Sequence, residues 1–255
     1  MPDLNAPPTF SIIVTDYDKS IPRDRFRRKM RCLAAQTSPD FEVLVYHDGP
    51  KSIPYADEVA DLDLHPATQF IVTDARANDW GHSNRDRGIR AARGRWIIHT
   101  NADNVLYPTL IERLRAEVVD APPEMQMVAP RYPILIKSLA KRSDRLFGTA
   151  FTKRQPSMMA EKEIIIYAVL MRGMVPNGSG YRREREFEHT KALVFGGVPV
   201  QPGLIDAMQL VMRRDLWLGY GGWYDRSEDG DGIMYERFAR HHAVSVVPEV
   251  LGEHW

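Results

Sequence analysis

The chain has 255 residues, with 34 Lys+Arg and 34 Asp+Glu, so its formal charge is zero; that balance excludes a global basic field for nucleic acid or an anionic membrane. Apolar residues are 44% and charged residues 27%, a globular composition and not a disordered one. A single cysteine, Cys32, excludes an intrachain disulfide framework and a Cys-rich zinc site, and no apolar run approaches the roughly 20 residues that cross a bilayer.

The first nine residues read as a Pro-rich lead-in without the basic and apolar regions of a secretory signal. Phe10-Ser-Ile-Ile-Val-Thr15 is a short β-branched run, the pattern of a buried strand. Ile21 to Ala35 reads as a helix, with Phe26, Met30 and Leu33 on one face. Phe41 to His47 is a second strand, ended by the turn signal Asp48-Gly49-Pro50. Phe70 to Thr73 is a third. Asn84 to Arg93 is a polar helix closed by Gly94. Trp96 to Thr100 is a fourth strand, followed by Asn101-Ala-Asp-Asn104. Pro108 opens another helix.

Four alternations of strand and helix predict an α/β fold with a doubly wound, mostly parallel sheet. Ligands of such sheets sit at the carboxyl ends of the strands. There the chain places Asp16-Tyr-Asp18, Asp48-Gly49 and Asn101 to Asn104, a largely acidic rim. The second half is less regular. Met127 to Pro133 reads as a strand. Residues 137–190 read as an insertion over the site, partly helical and mobile. Leu204 to Met212 and Ala243 to Val247 read as strands, and Asp229 to Arg240 as a helix. A single domain over 1–255 is expected, and cytoplasmic localisation is the simplest reading of the lone cysteine.

Several residues could carry chemistry. Asp103, on a turn after a buried strand, suits a hard divalent cation, Mn²⁺ or Mg²⁺, whose other ligands come from water and substrate phosphates; the same four residues also suit an Asx-turn or helix cap. Glu228-Asp229-Gly-Asp231 either favours a helix N-terminus electrostatically or supplies a general base. His254, isolated beside Trp255, reads on its own as a surface or packing residue. The segment Gly81 to Gly88 opens a helix with small polar residues and Arg, a pattern that can receive phosphate. Neither a dinucleotide fingerprint nor a P-loop is present.

Taken in order, these segments resemble family-2-like glycosyltransferases of the GT-A fold. Ser11-Ile-Ile-Val-Thr-Asp-Tyr17 looks like their opening strand and nucleotide loop. Leu33-Ala-Ala-Gln-Thr-Ser-Pro-Asp-Phe-Glu-Val-Leu-Val45 with Asp48-Gly49 resembles their Gln-Thr…Asp-Gly segment. Arg85 to Gly94 resembles their Arg-Asn-x-Gly-x-x-x-Ala-x-Gly, with Asp86 in place of Asn. Asn101 to Asn104 falls at their Asp-x-Asp metal motif and keeps one carboxylate. Gly221-Gly-Trp-Tyr-Asp225 with Glu228-Asp229 resembles their Gly-Gly-Phe-Asp…Glu-Asp.

The resemblance implies sugar transfer from a UDP- or GDP-type donor to an acceptor hydroxyl on a glycan, a lipid-linked molecule or a small molecule. No nucleic acid is expected as a partner. Residues of about 10–120 would form the nucleotide-sugar half and about 121–255 the acceptor half. Thr15, Asp16, Tyr17, Asp48, Arg85, Asn101, Ala102 and Asp103 would bind the nucleotide sugar. Asp103 and His254 would hold the metal. Asp229 would be the base of an inverting reaction, assisted by Glu228, with Asp206, Asp231 and Trp223 toward the acceptor. Two rivals stand beside this reading: a sugar-phosphate nucleotidyltransferase and a non-catalytic sugar-nucleotide-binding protein. The first would carry a Gly-rich loop after the opening strand, where this chain has Thr15-Asp-Tyr-Asp-Lys-Ser20.

Overall fold

The computed structural model of the chain describes residues 6–119, 162–177 and 180–255. Strand β1 (Phe10–Asp16) is buried along its whole length, which is why its sequence is a continuous β-branched run and not an alternation. Strand β2 (Phe41–His47), equally buried, pairs parallel to β1 with Phe10 opposite Phe41. Strand β3 (Thr68–Val72) extends the sheet beyond β2, and β4 (Trp96–Asn101) lies on the other side of β1, also parallel.

Helix α1 (Arg23–Ala34) buries Phe26, Met30 and Leu33 with Ile12 and Val14 of β1 on one face of the sheet. Between β2 and β3 lies the single turn α2 (Tyr55–Glu58). Helix α3 (His82–Ala91) packs Ile89 with Ile13 on the opposite face. The approach of α3 is close: a Cβ on Gly88 would lie 2.6 Å from Ile13 Cγ2.

The chain then adds β5 (Val105–Leu106) and α4 (Leu110–Val118). It continues through β6 (Ile164–Arg172), the hairpin β7 (Met174–Asn177) and β8 (Gly180–Arg183), β9 (Ala192–Phe195) and β10 (Leu210–Arg213). Helices α5 (Arg214–Gly219) and α6 (Gly230–His241) and strand β11 (Val244–His254) follow. Among the described residues the main sheet runs β3-β2-β1-β4-β10-β6-β11-β5, with β9 against the far end of β6. Strand β10 is antiparallel to β4 and β6, while β11 runs parallel to β6.

Here the structure corrects the part of the 137–190 reading that took residues 164–172 as covering insertion. Ile164–Arg172 is an interior strand of the main sheet, because an apolar run of that length is best buried between two neighbours. Residues 174–177 and 180–183 pair as antiparallel strands. Residues 137–161 and the strand expected at Met127 to Pro133 lie outside the described residues. The strand expected from Leu204 begins only at Leu210.

Behind the second half lies an aromatic cluster. Trp217 of α5 stacks on Trp223 with ring centroids 5.4 Å apart, and Tyr235 and Phe238 of α6 complete it. Asp86 on α3 ties this cluster to the first half by accepting the Trp223 N–H at 3.0 Å. Gly222 permits that approach, since a Cβ there would lie 2.0 Å from the Asp86 carboxylate.

Candidate active site

A cavity of about 510 Å³ opens at the carboxyl ends of β1, β2 and β4, where an open α/β sheet changes winding direction and binds ligands. Its walls bring together Thr15, Asp16, Tyr17, Asp48, Arg85, Asn101, Asp103, Asp206, Glu228 and Asp231. These residues come from six separate parts of the chain.

At one end, the Asp16 carboxylate accepts the Tyr55 hydroxyl at 2.7 Å and pairs with Lys51 at 3.3 Å. Burial and that carboxylate push the Tyr55 phenol well above its ordinary range. Asp48 accepts the Ala77 and Asn78 N–H groups at 2.8 and 3.1 Å, folding loop 76–78 over the cavity. The Arg76 guanidinium then lies 4.0 Å above the Tyr17 ring.

Arg85 forms the floor. It is 3% exposed, donates to the Trp80 carbonyl and to Asn101 Oδ1 at 2.7 Å each, and lies 5.0 Å over the Trp223 ring. Its Nε is buried without a partner among the described residues. A fixed, incompletely paired guanidinium is a receptor for phosphate oxygens. Asn101 also accepts the Thr15 hydroxyl at 2.9 Å, so its side-chain oxygen serves Thr15 and Arg85.

The helix N-terminus at Gly81 is not open as a phosphate cradle. Asp79 Oδ2 already accepts the Ser83 N–H and hydroxyl at 2.9 and 2.6 Å. Burial and Arg85 push His82 down to about 4, so it is neutral and its Nε2 donates to the Ser227 carbonyl at 2.8 Å.

Asp103 has a buried Oδ1 with no partner among the described residues, and burial raises its pKa. An orphaned carboxylate oxygen facing a polar cavity fits a divalent cation. His254 stands within electrostatic reach, with Nδ1 2.8 Å from Asp206 Oδ2 and Nε2 facing Arg183 Nη1 at 3.1 Å. Only Nε2 is left for a metal, and Arg183 would have to yield it. Among the described residues no three His, Cys, Asp or Glu side chains could hold a metal alone. The donor set therefore fits a metal completed by substrate oxygens, with Asp103 as its anionic ligand.

Two carboxylates face each other across the remaining wall. Burial disfavours charge on Asp206, but His254 outweighs it and holds Asp206 down to about 2. Burial works against charge on His254 as well, and Asp206 raises it regardless. Asp231 is pushed up to about 6 by burial and by the charge on Asp206, against the Gly232 N–H and Arg85. Environments that drive two neighbouring carboxyls apart in this way mark acid–base assignments.

Four expectations change. Asp229 is exposed at the N-cap of α6 and does not line the cavity; the cavity-facing carboxylate of that segment is Asp231, two residues further around the helix. Trp223 is fully buried and supports Arg85 from behind, leaving no face for an acceptor. Ala102 is fully buried, and its contribution is a backbone N–H to the Thr15 carbonyl at 2.9 Å. His254 does not line the cavity itself and stands behind it as the ion-pair partner of Asp206. Conversely, Arg76, Asn78, Trp80 and Arg185 line the cavity without having been singled out. Asp48 gave one usable signal: a buried turn carboxylate requires nearby N–H donors, and the loop after β3 supplies them.

The family model described as "Glycosyl transferase family 2" matches residues 11–186, and the chain belongs to that family. An Escherichia coli (strain K12) protein named "Uncharacterized glycosyltransferase YibD" is 29% identical over 113 residues, 44% of this chain and 30% of that one. Among solved structures, S. aureus TarS 1-349 in complex with UDP-GlcNAc superposes with a TM-score of 0.59 at 12% identity, over 96% of this chain and 58% of that one. Mannosyltransferase PcManGT from Pyrobaculum calidifontis, in complex with GDP-Man and Mn²⁺, gives 0.58 at 13% identity, over 100% and 59%. The fold is GT-A. The chain spans less than two thirds of the length of each of these relatives.

Proposed function

We propose that the chain is a nucleotide-sugar-dependent glycosyltransferase that moves a sugar from a UDP- or GDP-type donor to an acceptor hydroxyl with inversion, and that Asp231 is its general base. The observation that carries this is the Asp231–Asp206 pair: one carboxyl poised near pH 6 beside one held ionised, in a cavity that also contains an orphaned carboxylate and a buried guanidinium. TarS and PcManGT, whose structures hold UDP-GlcNAc and GDP-Man, support a nucleotide-sugar donor.

The nucleotide lies toward Tyr17, Asp48 and Arg76, and its diphosphate over Arg85. Asp231 removes the acceptor proton as the acceptor oxygen bonds to the sugar's anomeric carbon. The bond from that carbon to the diphosphate breaks on the opposite side, and the nucleoside diphosphate leaves. Arg85 meets the charge that accumulates there. A divalent metal on Asp103, with His254 beside it, would neutralise the same charge when bound. Asp206 stays ionised and keeps Asp231 basic. A binding protein without turnover would have no use for a carboxyl held near 6 at the substrate wall, and the opening loop lacks the glycines of a nucleotidyltransferase.

The test is release of nucleoside diphosphate from a panel of UDP- and GDP-sugars with Mn²⁺ and candidate acceptors. Wild-type turnover that falls on Asp231→Asn substitution supports the assignment. Turnover indifferent to that substitution overturns it.

A further inference from the structure

Of the chain's five tryptophans, four are buried to 9% exposure or less, while Trp80 is 60% exposed and lies on the cavity wall. Its backbone has φ +54°, between Asn78 at +55° and Gly81 at +82°. Bulky residues rarely adopt that left-handed conformation. The loop is clamped in it from several directions. Arg85 donates to the Trp80 carbonyl at 2.7 Å, Asp48 accepts the Asn78 N–H at 3.1 Å, and Arg226 pairs with Asp79 at 3.4 Å. With the His82 contact to the Ser227 carbonyl at 2.8 Å, two of these braces run to the segment that carries Glu228 and leads into Asp231.

An indole left exposed on a cavity wall rich in charged side chains is unfavourable in water. The fold nonetheless fixes one there, on a loop braced to the segment that leads into Asp231. What suits an exposed indole that shares its cavity with Asp206, Glu228 and Asp231 is a molecule with one flat apolar face and hydroxyls around its edge. A pyranose has that shape: its axial C–H bonds cover an aromatic ring while its hydroxyls reach the carboxylates. An acyl chain does not, because one indole among carboxylates offers no apolar channel.

We infer that Trp80 is a stacking platform for a pyranose ring of the acceptor, so that the acceptor is a glycoside whose attacking hydroxyl faces Asp231. This rests on the transferase reading and names its acceptor class.

Because the other tryptophans are buried, acrylamide quenching of intrinsic fluorescence reports on Trp80. The experiment adds methyl glycosides of glucose, galactose, mannose and N-acetylglucosamine to protein saturated with UDP or GDP and Mn²⁺. Expected is a several-fold drop in the Stern–Volmer constant with at least one glycoside. In transfer to that glycoside, Trp80→Ala raises KM about tenfold with a smaller change in kcat, and Trp80→Phe restores most of the loss. Protection by the nucleotide alone, protection by a nucleotide sugar but by no glycoside, or no protection at all overturns the inference. Calorimetric binding of UDP or GDP with Mn²⁺ to the wild-type protein tests the transferase reading separately. Nucleotide that binds without glycoside protection sinks the platform and leaves that reading standing, whereas absence of nucleotide binding sinks the reading itself.

Discussion

Replacing Asp231 by Asn should abolish most activity and at the same time stabilise the protein. The substitution keeps the shape and removes the charge. In the unfolded chain this carboxyl titrates near 3.8 and in the fold near 6, a gap worth about 3 kcal/mol against the charged form. The direction follows from proton counting. Below pH 3.8 both states are protonated and there is no penalty. Between about 4 and 6 the folded state keeps a proton that the unfolded state has lost, so stability falls as pH rises. Above 6 the full penalty applies. Asp231→Asn should therefore gain up to about 3 kcal/mol at pH 7 and almost nothing near pH 3.5. Its kcat should fall by about 10²–10⁴, the usual contribution of a general base. Wild-type kcat should rise about tenfold per pH unit below 6 and level off above it. Urea unfolding at the two pH values and a kcat–pH profile measure all three. A variant less stable than wild type at pH 7, or one with near-normal kcat, would refute the reasoning.

Mn²⁺ should raise the melting temperature of the protein further in the presence of UDP or GDP than either nucleotide does alone, and Asp103→Ala should remove most of that metal-dependent part; equal shifts in thermal melts of the two proteins would take Asp103 out of the metal site. Gly94→Ala should destabilise by about 1–3 kcal/mol or more, because its Cβ would lie 2.6 Å from the backbone of Phe10 and Ser11; an unchanged urea midpoint would count against this. Lys29 is fully buried, with its ammonium 2.7 Å from the Thr100 hydroxyl, and burial pushes it from 10.5 down to about 8. The unfolded chain binds the extra proton in that window, so wild-type stability should rise between pH 8 and 10.5 by up to about 3 kcal/mol. Lys29→Met should flatten the rise in urea titrations at the two pH values.

The first half of the fold was legible because buried parallel strands leave continuous apolar runs and each is closed by a turn signal. Strand β6 carries the same kind of run. It was misread because charged clusters flank it and no strand–helix rhythm leads into it. Strand β11 is longer than expected, since Pro248-Glu249 interrupts the apolar pattern and the pairing with β6 shifts register between Val247 and Val250. The site was legible as residue types at strand ends, which brought Asp16, Asp48, Arg85 and Asp103 to one cavity. It was not legible where direction matters. Asp229 and Asp231 are neighbours in sequence, and the start of α6 at Gly230 decides which faces inward. Nor could the sequence announce that Trp80 is exposed, because that depends on left-handed backbone at Asn78, Trp80 and Gly81.

The turn that carries Asp103 is closed by residues from the far end of the chain. Glu253 and Gly252 of β11 pair with Val105 and Leu106, and the Trp255 N–H reaches Asn104 Oδ1 across 151 positions of sequence. During synthesis β1 to β4 emerge first and can pack by local crossovers, while the turn at Asp103 waits for β11 to be made. Contacts of such sequence separation form late and slowly. A chain in which β11 has not docked can thus present β1 to β4 as a formed sheet and still lack the pairing that fixes the turn around Asp103. The geometry around Asp103 is thereby set by a strand made long after it and not by its own neighbours in sequence.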